Sequence, residues 1–269
     1  MTKFSAILAT GRISNLPTVW CNVLVAFLLV QLAPILWADY PESTFSLTLL
    51  IATCIAASCL YVGGCFLGDA VDVEFDQKHK PSRPIPSGVI NRSTIYTWAS
   101  FLITAGIVIP TAFIYFSTEA LNLVALPASL LLTAAIVIYS LWHKRSPWIG
   151  LPFIGACRFF LVLFGAYVSI SVVPTLQEVY DSTIKNETSA LTVVCGNEGV
   201  RPIVYLYALV VGIFTISFAS VASSESSPKP ITWRKVLMTI MLALPLLPLA
   251  INFLVLEQVS LTLCSALGY

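Results

Sequence analysis

Charge is what this chain has least of. Only 10% of its 269 residues are Asp, Glu, Lys or Arg, while 58% are hydrophobic, against roughly 25% charged and 45–50% apolar in a soluble domain. No soluble-domain-length segment interrupts the apolar runs, and no period-two alternation marks a half-buried strand. A net charge of +1 without a nucleic-acid motif argues against a nucleic-acid partner. The seven cysteines form no CxxC pair and so carry no zinc signature. Cys21, Cys54, Cys59, Cys65, Cys157 and Cys264 fall in apolar runs as small packing residues, and Cys195 stands alone in a more polar stretch. These absences leave one class, an all-α integral membrane protein.

A spanning helix needs about 20 mostly apolar residues. Spans are read at 16–38, 45–68, 93–116, 119–141, 148–173, 202–221, 233–250 and 251–268. They make a polytopic bundle of about eight (seven to nine) transmembrane helices, one membrane domain over residues 1–269. Pro245, Pro248, Asn252 and Glu257 interrupt the last pair, which reads as one broken helix, two short spans or a re-entrant pair. Lys3 and Arg12 precede the first apolar run, which is long enough to span and is read as a helix rather than a cleaved signal. Eleven of the fourteen Lys and Arg residues fall in connections on one side. The positive-inside rule then places the amino terminus and the 68–92 loop in the cytoplasm, with the 174–201 loop opposite. Asn186-Glu187-Thr188 in that second loop is a glycosylation acceptor sequence.

The one strongly charged block runs from Gly68 to Gly88. At a helical pitch of roughly 100° per residue, Asp69, Asp72 and Asp76 lie within about 60° of one another, so three carboxylates share a face. A divalent cation is their natural neutraliser. Mg²⁺ typically takes one or two protein carboxylates plus substrate phosphate oxygens, which points to a metal-bridged diphosphate. Lys78, Lys80 and Arg83 are the candidate grips on the remaining phosphate charge.

Asp69-x-x-Asp72-x-x-x-Asp76 followed by Lys80-Pro81-Ser82-Arg83-Pro84-Ile85-Pro86-Ser87-Gly88 resembles the first aspartate-rich motif and trailing loop of the UbiA-type intramembrane prenyltransferases. Tyr139-Ser140 with His143-Lys144-Arg145 is similar to that family's loop after the fourth helix. The resemblance covers roughly residues 10 to 225. It implies a helical bundle around a lipid-accessible tunnel, with Mg²⁺ and a prenyl diphosphate at the cytoplasmic mouth and transfer of the prenyl group to a small acceptor. It implies the lipid bilayer as environment and no obligate protein partner. Two departures stand out. The family motif usually begins with Asn four positions before the first of its paired aspartates, where this chain has Gly68. The second aspartate-rich motif is missing, because Ser217 to Pro228 contains no Asp and a single carboxylate, Glu225. Glu225 is either the surviving ligand on that side or an ordinary charge at a helix end. The loss also motivates two alternative functions, an isoprenoid-lipid carrier without turnover and a terpene cyclase of the same family. CDP-alcohol phosphotransferases share the G-x-x-x-D-x-x-x-D pattern, but their upstream metal-binding element is absent here.

Inside the spans, Arg158 is the one Arg. An unpaired charge at bilayer depth is costly, so it must face the bundle interior or a wet cavity. It is read as contacting the diphosphate or an anionic acceptor, against structural pairing with another helix. Asn22 is the candidate polar group of the acceptor pocket, against interhelical hydrogen bonding. Arg12 is a candidate diphosphate contact, against membrane anchoring. The aromatics Tyr61, Phe66, Phe159, Phe160, Phe164 and Tyr167 are candidates to line an isoprenoid channel.

Overall fold

The computed structural model describes residues 3–38, 46–118, 125–144, 147–171 and 189–225, together with Val236 and Thr239. All the regular structure among them is helical. A short helix α1 (Lys3–Thr10) leads through a 3₁₀ turn (Ile13–Asn15) into α2 (Leu16–Ala38). Then follow α3 (Leu47–Val71), α4 (Val73–His79), α5 (Arg92–Thr118), α6 (Leu126–Trp142), α7 (Pro147–Ile170) and α8 (Ser189–Glu225). Among the described residues, five stretches are long and apolar enough to cross a membrane: Ile13–Gln31, Leu47–Val71, Arg92–Phe116, Ile149–Ile170 and Pro202–Ala222. Leu126–Trp142 is a shorter apolar helix.

The first, second, third and fifth expected spans coincide with α2, α3, α5 and α7. The fourth is shorter than expected among the described residues, opening with Pro127 in the first turn of α6. Helix α8 begins at Ser189 rather than near 202, so the second half of the expected 174–201 loop is helical. Its composition there is polar enough to hide the extension from a hydropathy reading. Apart from Val236 and Thr239, the two C-terminal spans lie outside the described residues, as does the Asn186 acceptor sequence.

Helix α3 is central, packing against α5, α2 and α6, and α7 joins α6, α2 and α8 on the other side. Helices in lipid gain no hydrophobic drive from meeting each other, so small residues that admit close backbone approach decide where they touch. A Cβ on Gly106 of α5 would sit 2.9 Å from the Ala56 carbonyl of α3, and one on Gly155 of α7 would sit 2.9 Å from the Gly212 carbonyl of α8. Large apolar side chains such as Phe101, Phe116, Ile51, Ile55 and Leu131 are exposed on the outside of the bundle, where lipid tails would cover them. Inward, Val19, Val23, Phe27, Leu60, Leu132, Leu161 and Phe164 form the largest core cluster. Among the buried polar groups, Thr53 donates to the Leu49 carbonyl at 2.7 Å within its own helix, and Gln31 of α2 donates across to Ser169 of α7 at 2.9 Å.

Candidate functional site

Helix α3 ends where its carboxylates begin. Asp72 caps α3 with helical backbone angles and starts α4, and backbone bonds from Asp72 to Gly68 (2.9 Å) and from Asp76 to Asp72 (2.8 Å) carry the helical register across the junction. Asp69, Asp72 and Asp76 therefore keep one face despite the break.

The segment that follows folds back over them. Ile85 and Ile90 bury into a cluster with Ala6, Phe66, Ala70, Val73 and Ile95, and the Ser87 amide donates to the Arg83 carbonyl at 2.9 Å. Gly88 closes the turn with φ of +76°, a conformation that glycine adopts without steric cost. The pinned loop delivers the Arg83 guanidinium to Asp76 and, at 3.4 Å, to Asp69. Arg12 reaches Asp69 from the other side at 3.8 Å. Its backbone is left-handed, φ 47° and ψ 44°, a strain of order 1–3 kcal/mol in a non-glycine residue and one that tends to occur at functional sites.

Two more partners for the carboxylates come from the end of α6. Lys144 Nζ bridges Asp72 Oδ2 at 3.0 Å and Asp76 Oδ1 at 2.8 Å, and His143 Nε2 stands 3.2 Å from Asp72 Oδ2. His143 is held by stacking on Tyr139, ring centroids 4.7 Å apart, and by a 3.0 Å contact from Nδ1 to the Tyr139 carbonyl. The Lys144 ammonium also lies 4.4 Å from the Phe75 ring centroid. Burial pushes the Asp72 carboxyl upward, but the hydrogen bonds and charges of His143 and Lys144 outweigh it and hold the group below its ordinary value. Asp76 is the most enclosed of the three, with its side chain 1% exposed.

This cluster forms the mouth of a cavity of about 310 Å³. Arg12, Asp69, Asp72 and His143 line its charged end, and Leu60, Leu132, Ile136, Leu161 and Phe218 its apolar walls. Arg158 enters from α7. Its Nη2 donates to Thr18 Oγ1 at 3.1 Å, its guanidinium lies 6.0 Å from the Tyr61 ring centroid, and its Nη1 is buried without a hydrogen-bond partner.

Of the expected site residues, the structure brings together Asp69, Asp72, Asp76, Arg83 and Arg12, and sets Arg158 in the same cavity. Lys78 and Lys80 are exposed, and among the described residues neither pairs with the aspartates. Lys144 occupies the position expected of them. Asn22 is half-buried on α2 and does not line the cavity; Asn15 does. The backbone of Glu225 closes α8, and its side chain lies outside the described residues. Of the six aromatics expected to line a channel, Tyr61 does; Phe66 and Phe164 are buried in packing clusters, Phe159 and Phe160 stack edge to face, and Tyr167 bonds to Tyr205. The roles of His143, Lys144 and Asn15 were not evident in sequence. His143-Lys144-Arg145 enters the sequence reading through the resemblance of its loop, which gave no side chain a role, and the packing of α6 on α3 turns His143 and Lys144 inward.

Carboxylate oxygens are the donor type a hard divalent cation takes, and here cations bridge them, Lys144 between Asp72 and Asp76 and Arg83 between Asp69 and Asp76. Among the described residues no group of three or more His, Cys, Asp or Glu side chains is placed to hold a metal ion by itself. A cation here would need to draw further oxygen ligands from substrate, as Mg²⁺ commonly does.

The profile of the UbiA prenyltransferase family matches residues 23–268. Digeranylgeranylglyceryl phosphate synthase of Sulfurisphaera tokodaii is 30% identical over 137 residues, 47% of this chain and 45% of that protein. The protein of the same name from Methanococcoides burtonii is 34% identical over 125 residues, 46% and 42% of the two chains. The chain thus spans less than half the length of these curated relatives. A solved structure, reported as giving structural and mechanistic insights into the biosynthesis of digeranylgeranylglyceryl phosphate synthase in membranes, superposes with a TM-score of 0.57 at 19% identity. The match covers 94% of this chain and 79% of that one, and at that identity it speaks for the fold.

Proposed function

The chain belongs to the UbiA prenyltransferase family, and from that premise we propose that it transfers a prenyl group from a prenyl diphosphate to a small acceptor within the membrane. The observation that carries this reading is one cavity lined by the carboxylate and cation cluster at one end and by apolar side chains at the other. A prenyl diphosphate has the same division, a charged head and an apolar tail. With its head at Asp69, Asp72 and Asp76, its tail lies along Leu60, Leu132, Ile136 and Leu161.

Asp69, Asp72 and Asp76 would hold Mg²⁺, which when bound supplies Lewis-acid stabilisation of the leaving diphosphate. Arg83, Lys144 and Arg12 neutralise the carboxylates when no substrate is bound. They are free to turn to phosphate oxygens once the carboxylates take a metal, so charge is exchanged within the cluster rather than exposed. Charge-assisted donors aimed at the leaving group favour its departure in a site from which water is largely removed. In the transfer the C–O bond between the prenyl carbon and the diphosphate breaks, with the electron pair leaving on diphosphate. The acceptor forms a new bond to that carbon and gives up a proton. Tyr61 and Tyr139 border the cavity and present π faces to an allylic cation at about 0.5–2 kcal/mol per good contact. The relatives' names suggest a glyceryl phosphate lipid as the acceptor class. The mouth faces the cytoplasm in this proposal, consistent with the distribution of Lys and Arg.

Purified protein given radiolabelled geranylgeranyl diphosphate, Mg²⁺ and a glyceryl phosphate lipid should release diphosphate and form a prenylated lipid. Retention of the labelled diphosphate intact would favour the carrier alternative. Diphosphate release without need of acceptor would favour cyclisation. For orientation, a single cysteine reporter at the exposed Ser87 should resist a membrane-impermeant thiol reagent applied outside the cell.

A further inference from the structure

We propose that Arg158 forms a second anion subsite in this cavity, separate from the metal-supported diphosphate site, and that it binds the anionic head group of the acceptor lipid. This rests on the prenyl-transfer reading only for the word acceptor; the subsite itself is argued from geometry. The guanidinium is anchored at one end, with Nη2 donating to Thr18 Oγ1, and Thr18 is in turn fixed by donating to the Asn15 carbonyl at 2.8 Å. Its other terminal nitrogen, Nη1, is buried and unpartnered, and no carboxylate pairs with it among the described residues. The side chain is half-buried with its Nη1 enclosed, and holding that nitrogen without a counter-charge has a cost that is recovered when an anion enters. Asn15 Nδ2 donates to the Tyr61 hydroxyl at 3.2 Å, which ties the ring beside the guanidinium to the same turn that holds Thr18.

Depth separates the two sites. Tyr61, beside which the guanidinium lies, precedes Asp69 by eight residues on α3, which at 1.5 Å per residue is roughly 12 Å along the helix. The gap accommodates the reacting prenyl carbon with the diphosphate on one side and an acceptor on the other. An acceptor whose phosphate rests on Arg158 is held by its head, with its nucleophile free to face the mouth. A planar fork matches phosphate oxygens with two parallel bonds where an ammonium offers a point charge.

The test uses the full chain in detergent with EDTA present and two probes, 1-oleoyl lysophosphatidic acid and 1-oleoylglycerol, which differ by the phosphate. The parent should bind the phosphate lipid roughly 10-fold or more tightly than the neutral one, the size of one charge-assisted hydrogen bond. Arg158→Gln should erase that preference, and Arg158→Lys should restore part of it. In the same Arg158→Gln protein, Mg²⁺-dependent binding of geranylgeranyl thiodiphosphate should change by less than about 3-fold. Equal affinity of the parent for the two lipids, or an undiminished preference in Arg158→Gln, would overturn the subsite. So would parallel loss of thiodiphosphate binding, which would assign Arg158 to the diphosphate. If Arg158→Gln does not fold, Thr18→Val removes the anchor and should cut the preference several-fold; an unaltered preference there overturns the proposal equally. Asp72→Asn keeps the two readings apart. Intact Mg²⁺-dependent thiodiphosphate binding in that variant defeats the diphosphate site, while the lipid preference reports on Arg158 alone.

Discussion

The α3–α4 wall of the cavity and the α7–α8 wall solve the same problem, holding charge beside lipid, in opposite ways. On the first, three carboxylates meet Arg12, Arg83, His143 and Lys144, delivered by the amino-terminal segment, the pinned loop and the end of α6. Each charge has a partner, and the cluster sits where α3 gives way to a loop. On the second wall, among the described side chains, the Arg158 guanidinium of α7 stands beside hydroxyl and apolar groups, and α7 touches α8 through Gly155 and Gly212. Charge can be dense where partners from several segments converge near water. Deeper in, desolvation limits the wall to one charge with a designated use.

The largest expected effect breaks the first wall. Asp76→Asn or Asp72→Asn should lower Mg²⁺-supported binding of a prenyl thiodiphosphate by about 100-fold or more, because each keeps the size and removes a hard anionic ligand. Undiminished metal-dependent titration curves in both variants would refute the site. Next, Lys144→Gln leaves Asp76 with one cation fewer in a nearly closed position, which should cost on the order of 1–3 kcal/mol of stability. A melting temperature in detergent equal to the parent's would mean the carboxylate is better solvated than its burial implies.

The second wall is challenged through its helix contact. Gly155→Ala would set a Cβ 2.5 Å from Ile216 Cγ1 and 2.9 Å from the Gly212 carbonyl, and overpacking of this kind costs roughly 1–3 kcal/mol. The loss should appear in melting of the bundle, with thiodiphosphate binding at the far wall less affected.

A pH series sharpens the comparison further. Asp72 has a folded-state pKa below its ordinary value, so it contributes stability that is present above the usual carboxylate range, about 4, and lost as pH falls through the depressed value. The melting difference between parent and Asp72→Asn should be full near neutrality and vanish in acid; a constant difference would assign the effect to packing. The smallest effect is expected at Glu225. If the first wall suffices for the metal, Glu225→Gln should shift Mg²⁺-supported binding by about 2-fold at most, the range of a solvated surface charge. A loss comparable with Asp72→Asn would make Glu225 a ligand on α8.

Much of this was legible in the chain itself because bilayer thickness converts directly into residue count. The bounds of α2, α3, α5 and α7 follow from apolar length, and the face shared by Asp69, Asp72 and Asp76 follows from helical pitch. Lys78 and Lys80 show the limit. Adjacent in sequence to the aspartates, they point to water, while Lys144, 68 residues beyond Asp76, makes the bridge. Asn22 has the right depth but the wrong side of α2, and hydropathy carries no information about rotation of a helix that is apolar all round.

Sequence alone determined the membrane class, most of the described spans and the location of the acidic face, since these depend on local composition and on periodicities of a few residues. The tertiary structure decided which cations neutralise that face, which aromatics border the cavity and that Arg158 keeps one nitrogen unpaired. Those outcomes depend on how six apolar helices rotate and approach one another, which small residues and close packing govern and no local pattern encodes.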